Sequence, residues 1–295
     1  MGSARRLRLI TVAFLLALAW GARPLQAQWS FKVEAGLCAD DNAGNAGESD
    51  DVVKVTSRFL SLGAFQRTYV SDTFSLGWGG HLRGESFNRA TGLDNASLAL
   101  EAGLRKKWGL GPWVPWTEFT LSSSRDQFHD PARTGWRHRA ALTAGRRWTE
   151  VVDLSGELWT ERRAARAAEP EAAGLSGDVF SQTLSGLRIQ ADVALDARFT
   201  LSLAGLFRTG DVTFNSTGGL DEYPTVRAAA LDPVLGPGFF AYRMPGTSRG
   251  ARAALVIVLT PRLSLNLAGE RHLTRLESGE TYGRNILSAA CRFAF

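Results

Sequence analysis

The last fifteen residues, 281–295, read Thr-Tyr-Gly-Arg-Asn-Ile-Leu-Ser-Ala-Ala-Cys-Arg-Phe-Ala-Phe. Successive side chains of a β-strand point to opposite faces, so residues two apart share a face. Counting back from the terminus, one face collects Phe295, Phe293, Cys291, Ala289 and Leu287. The other face collects Ala294, Arg292, Ala290 and Ser288. The stretch therefore predicts a terminal strand with one apolar face.

The same two-residue period recurs along the chain. It is clearest in residues 72–85, 198–208 and 262–272, where Leu, Phe and Trp alternate with small, polar and charged residues. Twelve segments of this kind are predicted, at about 30–40, 52–69, 73–87, 95–108, 113–124, 135–148, 151–163, 179–195, 197–213, 248–260, 262–276 and 281–295. The even-numbered connections between them hold at most four residues, whereas the odd-numbered ones extend to the long stretch 214–247.

Residues 1–27 have the pattern of a secretory signal peptide. Arg5, Arg6 and Arg8 precede an apolar run from Leu9 to Trp20, and Leu25-Gln26-Ala27 resembles a cleavage site. The run is shorter than the roughly 20 residues that a membrane-spanning helix requires, although an uncleaved anchor is the alternative. We therefore predict a signal peptide at 1–27 and a mature chain at 28–295.

The charge of the mature chain argues against nucleic-acid binding. The whole sequence has 34 Lys and Arg against 29 Asp and Glu, but four of the Arg lie in residues 1–27, which contain no acid. Removing that segment leaves 30 basic residues against 29 acidic ones, so the basic character belongs partly to the signal peptide.

The terminal strand, the signal peptide and the alternating segments resemble those of the outer-membrane β-barrel proteins of Gram-negative bacteria. The pattern of strands and loops is porin-like. No particular subfamily is indicated. The resemblance implies a transmembrane antiparallel up-and-down barrel of about 12 strands, or 14 if the stretch 214–247 hides a hairpin. It also implies contact with outer-membrane lipid and lipopolysaccharide. In this family the barrel-assembly machinery reads the terminal strand, here through Leu287, Phe293 and Phe295.

Aromatic residues gather near the ends of the predicted strands, as interfacial girdles would require. On the long-loop side the girdle would include Phe87, Trp136, Trp159, Phe180, Phe214 and Tyr282.

Charged residues of both signs occupy the other parity and would line the interior of a barrel. The pore-lining candidates are Arg83, Glu85, Glu101, Arg105, Glu118, Arg137, Arg139, Glu157, Arg188, Asp192 and Arg208. Two interpretations remain open: a charged pore that selects solutes, or a salt-bridge network that fills a narrow lumen.

The long stretch 214–247 contains the cluster Phe239, Phe240 and Tyr242. Loops of this length are commonly functional or disordered, so we expect either a constriction or lid over the lumen, or a mobile surface loop.

The chemistry-bearing residues give no catalytic or metal pattern. The four His show no metal-ligand spacing, and His138 near Ser122, Ser123 or Ser155 is a weak basis for a hydrolase. The strand parities place Cys38 on the inner face and Cys291 on the outer face, which predicts two free thiols.

We expect a porin-like channel for passive diffusion of small hydrophilic solutes, with no cofactor, metal or enzymatic activity. The alternatives are a non-channel barrel with a structural, adhesive or export-assembly role, and an outer-membrane lipid or lipopolysaccharide hydrolase. The solute and the oligomeric state are not indicated by the sequence.

Overall fold

The alternating segments form β-strands, and nearly every residue between the loops is extended. A computed structural model describes residues 28–223 and 226–295; the predicted signal peptide lies outside the described residues. The strands are β1 (Gln28–Asp40), β2 (Val55–Ser71), β3 (Phe74–Phe87), β4 (Asn95–Lys107), β5 (Trp116–Phe128), β6 (Gly135–Arg147), β7 (Val152–Ala165), β8 (Gln182–Ala194), β9 (Phe199–Ser216), β10 (Ala228–Leu231), β11 (Phe240–Val258), β12 (Leu263–Leu276) and β13 (Thr281–Ala294). Four short 3₁₀ turns lie in the long loops, at Ser49–Asp51, Thr91–Leu93, Pro131–Arg133 and Leu220–Glu222. Within the described ranges, no helix is long and apolar enough to cross a membrane.

The strands close into a barrel of twelve antiparallel strands. Each wall strand pairs with the next along the chain, and β9 pairs directly with β11. The barrel closes where β13 pairs with β1, with a register from Lys32 opposite Ala294 to Asp40 opposite Ile286. Phe31 and Phe295 exchange two backbone hydrogen bonds, of 2.8 and 3.0 Å, at the bottom of this seam. The predicted all-β antiparallel barrel of about 12 strands is confirmed.

The short strand β10 does not belong to the wall. It pairs with residues 240–243 of β11, beyond the point where β12 ends, so it extends the sheet above the barrel. The fifth long loop does contain a hairpin, as the 14-strand alternative supposes. That alternative is nevertheless wrong, because the hairpin adds no strand to the closed wall.

Two strands beside the fifth long loop are longer than predicted. β9 continues to Ser216 and β11 begins at Phe240, so the loop shrinks to residues 217–239. Pro245 therefore lies inside a strand, not in a loop. It is tolerated because it sits between the partners of β10, which end at Arg243, and those of β12, which begin at Gly246. At that position the missing N–H leaves no ladder partner unsatisfied, and the carbonyl of Pro245 still accepts a hydrogen bond from the N–H of Glu277 (2.9 Å).

The two faces of the wall differ sharply in polarity. Leucines such as Leu60, Leu100, Leu142 and Leu158 point outward and are half or more exposed. On the terminal strand Leu287, Phe293 and Phe295 also point outward. An apolar outer surface around a charged interior is the pattern of a barrel whose wall faces lipid.

The two cysteines lie on opposite faces of the wall. Cys38 is half-buried on the inner face and Cys291 is exposed on the outer face, and neither forms a disulfide. Their positions differ in access to water, because the inner face is lined with polar groups and the outer face with leucine.

We expect a charged, membrane-impermeant methanethiosulfonate reagent to modify Cys38 and to leave Cys291 unmodified in the barrel reconstituted into vesicles. Only a thiol in contact with water ionises and reacts readily. Mass spectrometry would count the modified thiols, and a Cys38→Ser variant should then incorporate none. Rapid modification of Cys291 in that variant would contradict the assignment of its face.

Candidate functional site: the barrel lumen and its loop cap

The structure places all eleven pore-lining candidates on the inner face of the wall, on strands β3 to β9. Most form ion pairs with neighbours on the same or the adjacent strand. Arg83 lies 3.1 Å from Glu85, and Arg105 lies 3.7 Å from Glu118. Their role in lining a conducting pore stays a prediction.

Further pairs run along β5 to β9. Arg139 pairs with Glu157 and lies 3.9 Å from Glu161. On β8, the guanidinium of Arg188 donates to Gln190 (2.5 Å), and the Gln190 amide donates to Asp192 (2.9 Å). The inner face is thus organised by paired charges, as a low-dielectric wall requires.

Asp126 is a lumen residue that the sequence analysis missed. Its carboxylate is buried and accepts hydrogen bonds from Arg137 at 2.6 and 3.2 Å. The predicted fifth strand ended at residue 124, whereas β5 continues to Phe128. The parity of Glu118, Ser122 and Ser124 continues to Asp126, so a longer strand would have revealed it.

The lumen is hollow beside these side chains. Within the barrel, the side chains of Arg137, Arg139 and Arg252 remain 44%, 34% and 35% exposed. Such exposure requires space for water next to the guanidinium groups. A lumen filled entirely by a salt-bridge network would bury them, so their exposure favours the charged-pore interpretation.

Positive charge exceeds negative charge among the unpaired groups of the inner face. In the described part of the chain, Arg163, Arg188 and Arg208 have no carboxylate within 4.0 Å, and neither do Lys32 and Lys107. The unpaired acids on the inner strand positions are Glu101 and Asp192. The inner face therefore carries a net positive charge.

Aromatic rings lie flat on glycines of the inner wall. A Cβ added to Gly36 would lie 2.8 Å from the Phe59 ring, and one added to Gly145 would lie 2.5 Å from Trp116. Only the absence of a side chain lets these rings approach the backbone so closely.

An arginine covers the other side of these rings. The guanidinium carbon of Arg83 lies 3.9 Å from the centre of the Phe59 ring, and that of Arg105 lies 3.9 Å from the centre of the Trp116 ring. Cation–π contact adds to the ion pairs that the same arginines make. Glycine, ring, arginine and carboxylate thus form a stack that fixes the guanidinium groups against the wall.

Trp159 belongs to a stack of this kind. Its ring lies over Gly186, where a Cβ would be 2.6 Å away, and beneath Arg139, at 4.6 Å. The expectation that Trp159 belongs to the outer aromatic girdle is therefore wrong. Its parity is that of Glu157, which already indicates the inner face.

The fifth long loop, 217–239, lies across the long-loop end of the barrel; we call it the cap loop. Some of its contacts are with the β7–β8 and β5–β6 loops. Ala228 and Ala230 form bridges to Ser176 and Pro170 of the β7–β8 loop. Asp232 forms an ion pair with Arg133 of the β5–β6 loop.

The cap loop also reaches the opposite side of the mouth. Val234 fills the space above Gly92, with 3.2 Å between its Cβ and the position of a Gly92 Cβ, and Leu235 packs on Gly44. Gly92 lies in the β3–β4 loop, which is diametrically opposite the cap loop in a twelve-strand order. The cap loop therefore spans the whole mouth.

A hydrophobic core holds the cap loop in place. Phe214, Tyr223, Tyr242 and Met244 are buried together with Val212, Ala229, Leu276 and Tyr282. Phe180 is buried in a second cluster with Val179. Phe180, Phe214 and Tyr282 are thus core residues, and their assignment to the lipid-facing girdle is wrong. Phe214 and Tyr282 lie at inward positions of β9 and β13, and Phe180 lies in the loop before β8.

The three constriction candidates lie in or beside this core. Phe239 and Tyr242 are buried, and Phe240 packs against the same cluster. Their rings stabilise the cap loop, and their role in a constriction stays a prediction. Tyr242 donates a hydrogen bond from its hydroxyl to the carbonyl of Gly218 (2.6 Å).

Two buried carboxylates connect the cap loop to its surroundings. Asp51, in the β1–β2 loop, accepts hydrogen bonds from the Ser216 hydroxyl (2.7 Å) and from the backbone (2.9 Å) and hydroxyl (2.7 Å) of Thr217. Burial acts to raise the pKa of Asp51, but these hydrogen bonds outweigh it and hold the pKa below its ordinary value.

Asp232 is the second carboxylate and is nearly fully buried. Besides Arg133, it accepts a hydrogen bond from the side-chain amide of Asn215 (2.6 Å). Burial raises the pKa of Asp232 and lowers the pKa of Arg133, and the attraction between the two opposes both shifts. The cap loop thus depends on a buried ion pair, which is costly to break.

Two of the histidines have partners other than serine. His272 hydrogen bonds to Glu270 on the inner face, and His138 stacks on Trp136 on the outer face. Across residues 28–223 and 226–295, no serine hydroxyl donates to a histidine, and no three His, Cys, Asp or Glu side chains converge as a metal ion would require.

Comparison with solved structures assigns the fold. An outer-membrane channel from Pseudomonas putida F1 superposes with a TM-score of 0.56 at 14% sequence identity, over 93% of this chain and 97% of that one. The chain has the outer-membrane β-barrel fold. The NanC porin (TM-score 0.49, 7% identity, 89% and 98% coverage) and the translocator domain of the autotransporter NalP from Neisseria meningitidis (0.46, 10%, 99% and 98%) are also similar. No protein-family model matches the chain, and no curated protein matches it in sequence.

Replacing Gly186 by valine should destabilise the barrel by about 1–3 kcal/mol, because the new side chain would collide with Trp159 and with the carbonyl of Phe207. The measurement is the temperature at which the compact band on an unboiled gel converts to the unfolded band. Gly205→Val is the matched control on the neighbouring strand, since a Cβ there meets nothing within 4 Å. Equal losses in both variants would show that the ring contact has no special role.

Proposed function

We propose that this protein is an outer-membrane channel of a Gram-negative bacterium, exported through the signal peptide at 1–27. It passes small hydrophilic solutes by diffusion and favours anions. The observation that carries the proposal is the water-accessible charge of the inner face, which lies inside a closed wall with an apolar exterior.

The exposed guanidinium groups favour a channel over a purely structural barrel. Charges enclosed by a wall must be paired or hydrated. Arg137 and Arg139 are paired and still retain a third or more of their surface for water. A solute of similar polarity can replace that water at little cost.

The sign of the unpaired charge favours anions. Five cations at inner positions, including Arg163 on β7 and Arg208 on β9, have no acidic partner, compared with two acids that have no basic partner. Fixed charges along a pore concentrate counter-ions and repel ions of the same sign.

The cap loop would control entry from the long-loop end. It contacts the loops on both sides of the mouth, including Gly92 opposite its own strands. Solutes must therefore pass around this loop, or the loop must move. The buried Asp232–Arg133 pair favours the closed arrangement.

Replacing both Arg137 and Arg139 by glutamine should shift the channel toward cations. One unit charge at a distance on the order of 8 Å in water contributes about 0.5 kcal/mol, so losing two should disfavour chloride and favour potassium by about 1 kcal/mol each. The permeability ratio of chloride to potassium should therefore fall by roughly 30-fold. The reversal potential under a salt gradient in planar bilayers measures this ratio.

Arg271→Gln is the control for that experiment, because Arg271 is exposed on the outer face of β12. It should leave the reversal potential unchanged. An unchanged ratio in the Arg137 and Arg139 variant, with conductance intact, would contradict the proposal that these residues face the ion path.

A disulfide across the mouth should lock the channel. In a Cys38→Ser, Cys291→Ala background, Gly92→Cys and Val234→Cys would place two Cβ atoms about 3.2 Å apart, close to disulfide geometry. Oxidation should cross-link the cap loop and lower the conductance, and a reductant should restore it.

Gly47→Cys with Val234→Cys is the matched control, since Gly47 lies in the β1–β2 loop with nothing within 4 Å of a Cβ. This pair should not cross-link. A cross-linked Gly92–Val234 variant whose conductance equals that of the reduced protein would show that the cap loop does not control entry.

A further inference from the structure

The outer face of the wall is strongly asymmetric in charge. Its outward positions carry the cations Arg58, Lys106, Arg125, His138, Arg146, Arg162, Arg249, Arg271 and Arg275. Among the described strands, the single acid at an outward position is Asp211, near the top of β9. On the inner face most cations have an acidic partner, whereas on the outer face the cations have almost none.

Several of these cations share one depth. Arg58, Arg125, His138 and Arg162 each lie three residues from the long-loop end of their strand. Below them, the outward positions of these four strands carry no charge until Arg146, near the short-turn end of β6, and they include the exposed Leu60 and Leu158. A basic row at the upper edge of an apolar band coincides with the headgroup level of the leaflet on the long-loop side.

Three members of this row form a cluster on adjacent strands. His138 lies opposite Ser123 on one side and opposite Arg162 on the other. Arg125 lies opposite Trp136, with its guanidinium carbon 5.6 Å from the centre of that ring, and the ring stacks on His138. None of the three cations has a carboxylate within 4.0 Å in the described part of the chain.

An apolar groove descends from the cluster. Two rows of outward residues line it, an upper row of Leu100, Ser123, His138 and Arg162 and a lower row of Ala102, Leu121, Ala140 and Thr160. Between the rows, the lining is completed by Glu101, Ser122 and Arg139, whose side chains face inward. The small side chains of Ala102 and Ala140 leave room for a hydrocarbon chain, and the cations at the upper end can bind an anionic headgroup.

We propose that Arg125, His138 and Arg162 bind a phosphate of an outer-leaflet glycolipid, the lipid A part of lipopolysaccharide, with an acyl chain in the groove below. One guanidinium group can donate two parallel hydrogen bonds to the oxygens of a phosphate, and the hydroxyls of Ser123 and Thr160 can donate further ones. Trp136 supplies the amphipathic ring that is enriched at such interfaces. The proposal rests on the outer-membrane location in the proposed function and not on channel activity.

The test is native mass spectrometry of the purified mature barrel in detergent with bisphosphorylated lipid A. Each basic residue near an anionic surface contributes about fivefold in affinity, so Arg125→Gln with Arg162→Gln should weaken binding by about 25-fold. Arg162→Gln alone should weaken it by about fivefold. Lys106→Gln with Arg146→Gln removes the same charge from the outer face at the short-turn end and should bind as the unaltered protein does.

Lipid A without phosphates should bind the unaltered barrel as weakly as bisphosphorylated lipid A binds the double variant. Undiminished binding by a double variant that migrates as a folded barrel would overturn the proposal. Equal affinity of the unaltered barrel for phosphatidylglycerol would overturn the commitment to a glycolipid. The assay does not measure conductance, so a barrel that does not bind lipid A leaves the channel proposal intact. A barrel that binds lipid A but does not conduct would contradict the channel proposal alone.

Discussion

Every backbone hydrogen bond of a membrane-spanning wall must be satisfied by the wall itself, and here that condition is met at the seam between β1 and β13. The seam ends where Phe31 and Phe295 exchange their backbone hydrogen bonds. An open sheet would leave a row of unpaired N–H and C=O groups facing hydrocarbon. Closure in turn fixes which parity of each strand faces inward, so the positions of the charges, rings and glycines all follow from it.

The closed wall sorts charge into two different arrangements. Inside, acids balance most cations, and the glycine–ring–arginine stacks hold the guanidinium groups against the wall while leaving them in contact with water. Outside, the cations have almost no acidic neighbours, and four of them lie in one row near the long-loop end. The proposed anion preference of the pore and the proposed binding of anionic lipid would both follow from the alternation of inward and outward side chains along each strand.

The sequence alone predicts much of this fold because a two-residue period reports directly on the two faces of a strand. Twelve strands, the closing strand and the inner charges follow from it. The period also gives the inner face for Phe214, which shares the parity of Arg208, and for Trp159, which shares the parity of Glu157. A position near a strand end does not by itself separate a lipid-facing ring from an inward one. Tyr242 lies in a part of β11 where the sequence pattern predicts a loop.

Loop contacts are even less visible in the sequence. Asp51 and Ser216 are far apart along the chain, as are Gly92 and Val234, and no local pattern joins them. Asp232 and Arg133 are likewise ordinary loop residues until the fold brings them together. Such pairings depend on where the strands deliver each loop, and only the closed barrel determines that.

The cap loop also has a consequence for the order of folding. Its contacts join residues from the first loop, such as Gly44 and Asp51, to residues near 215 and 232, so they have very high contact order. Closing such long chain loops is entropically costly until the strands between them have assembled. We therefore expect the cap loop to become ordered last, so that the mouth of a nascent barrel is uncovered until the strands have assembled.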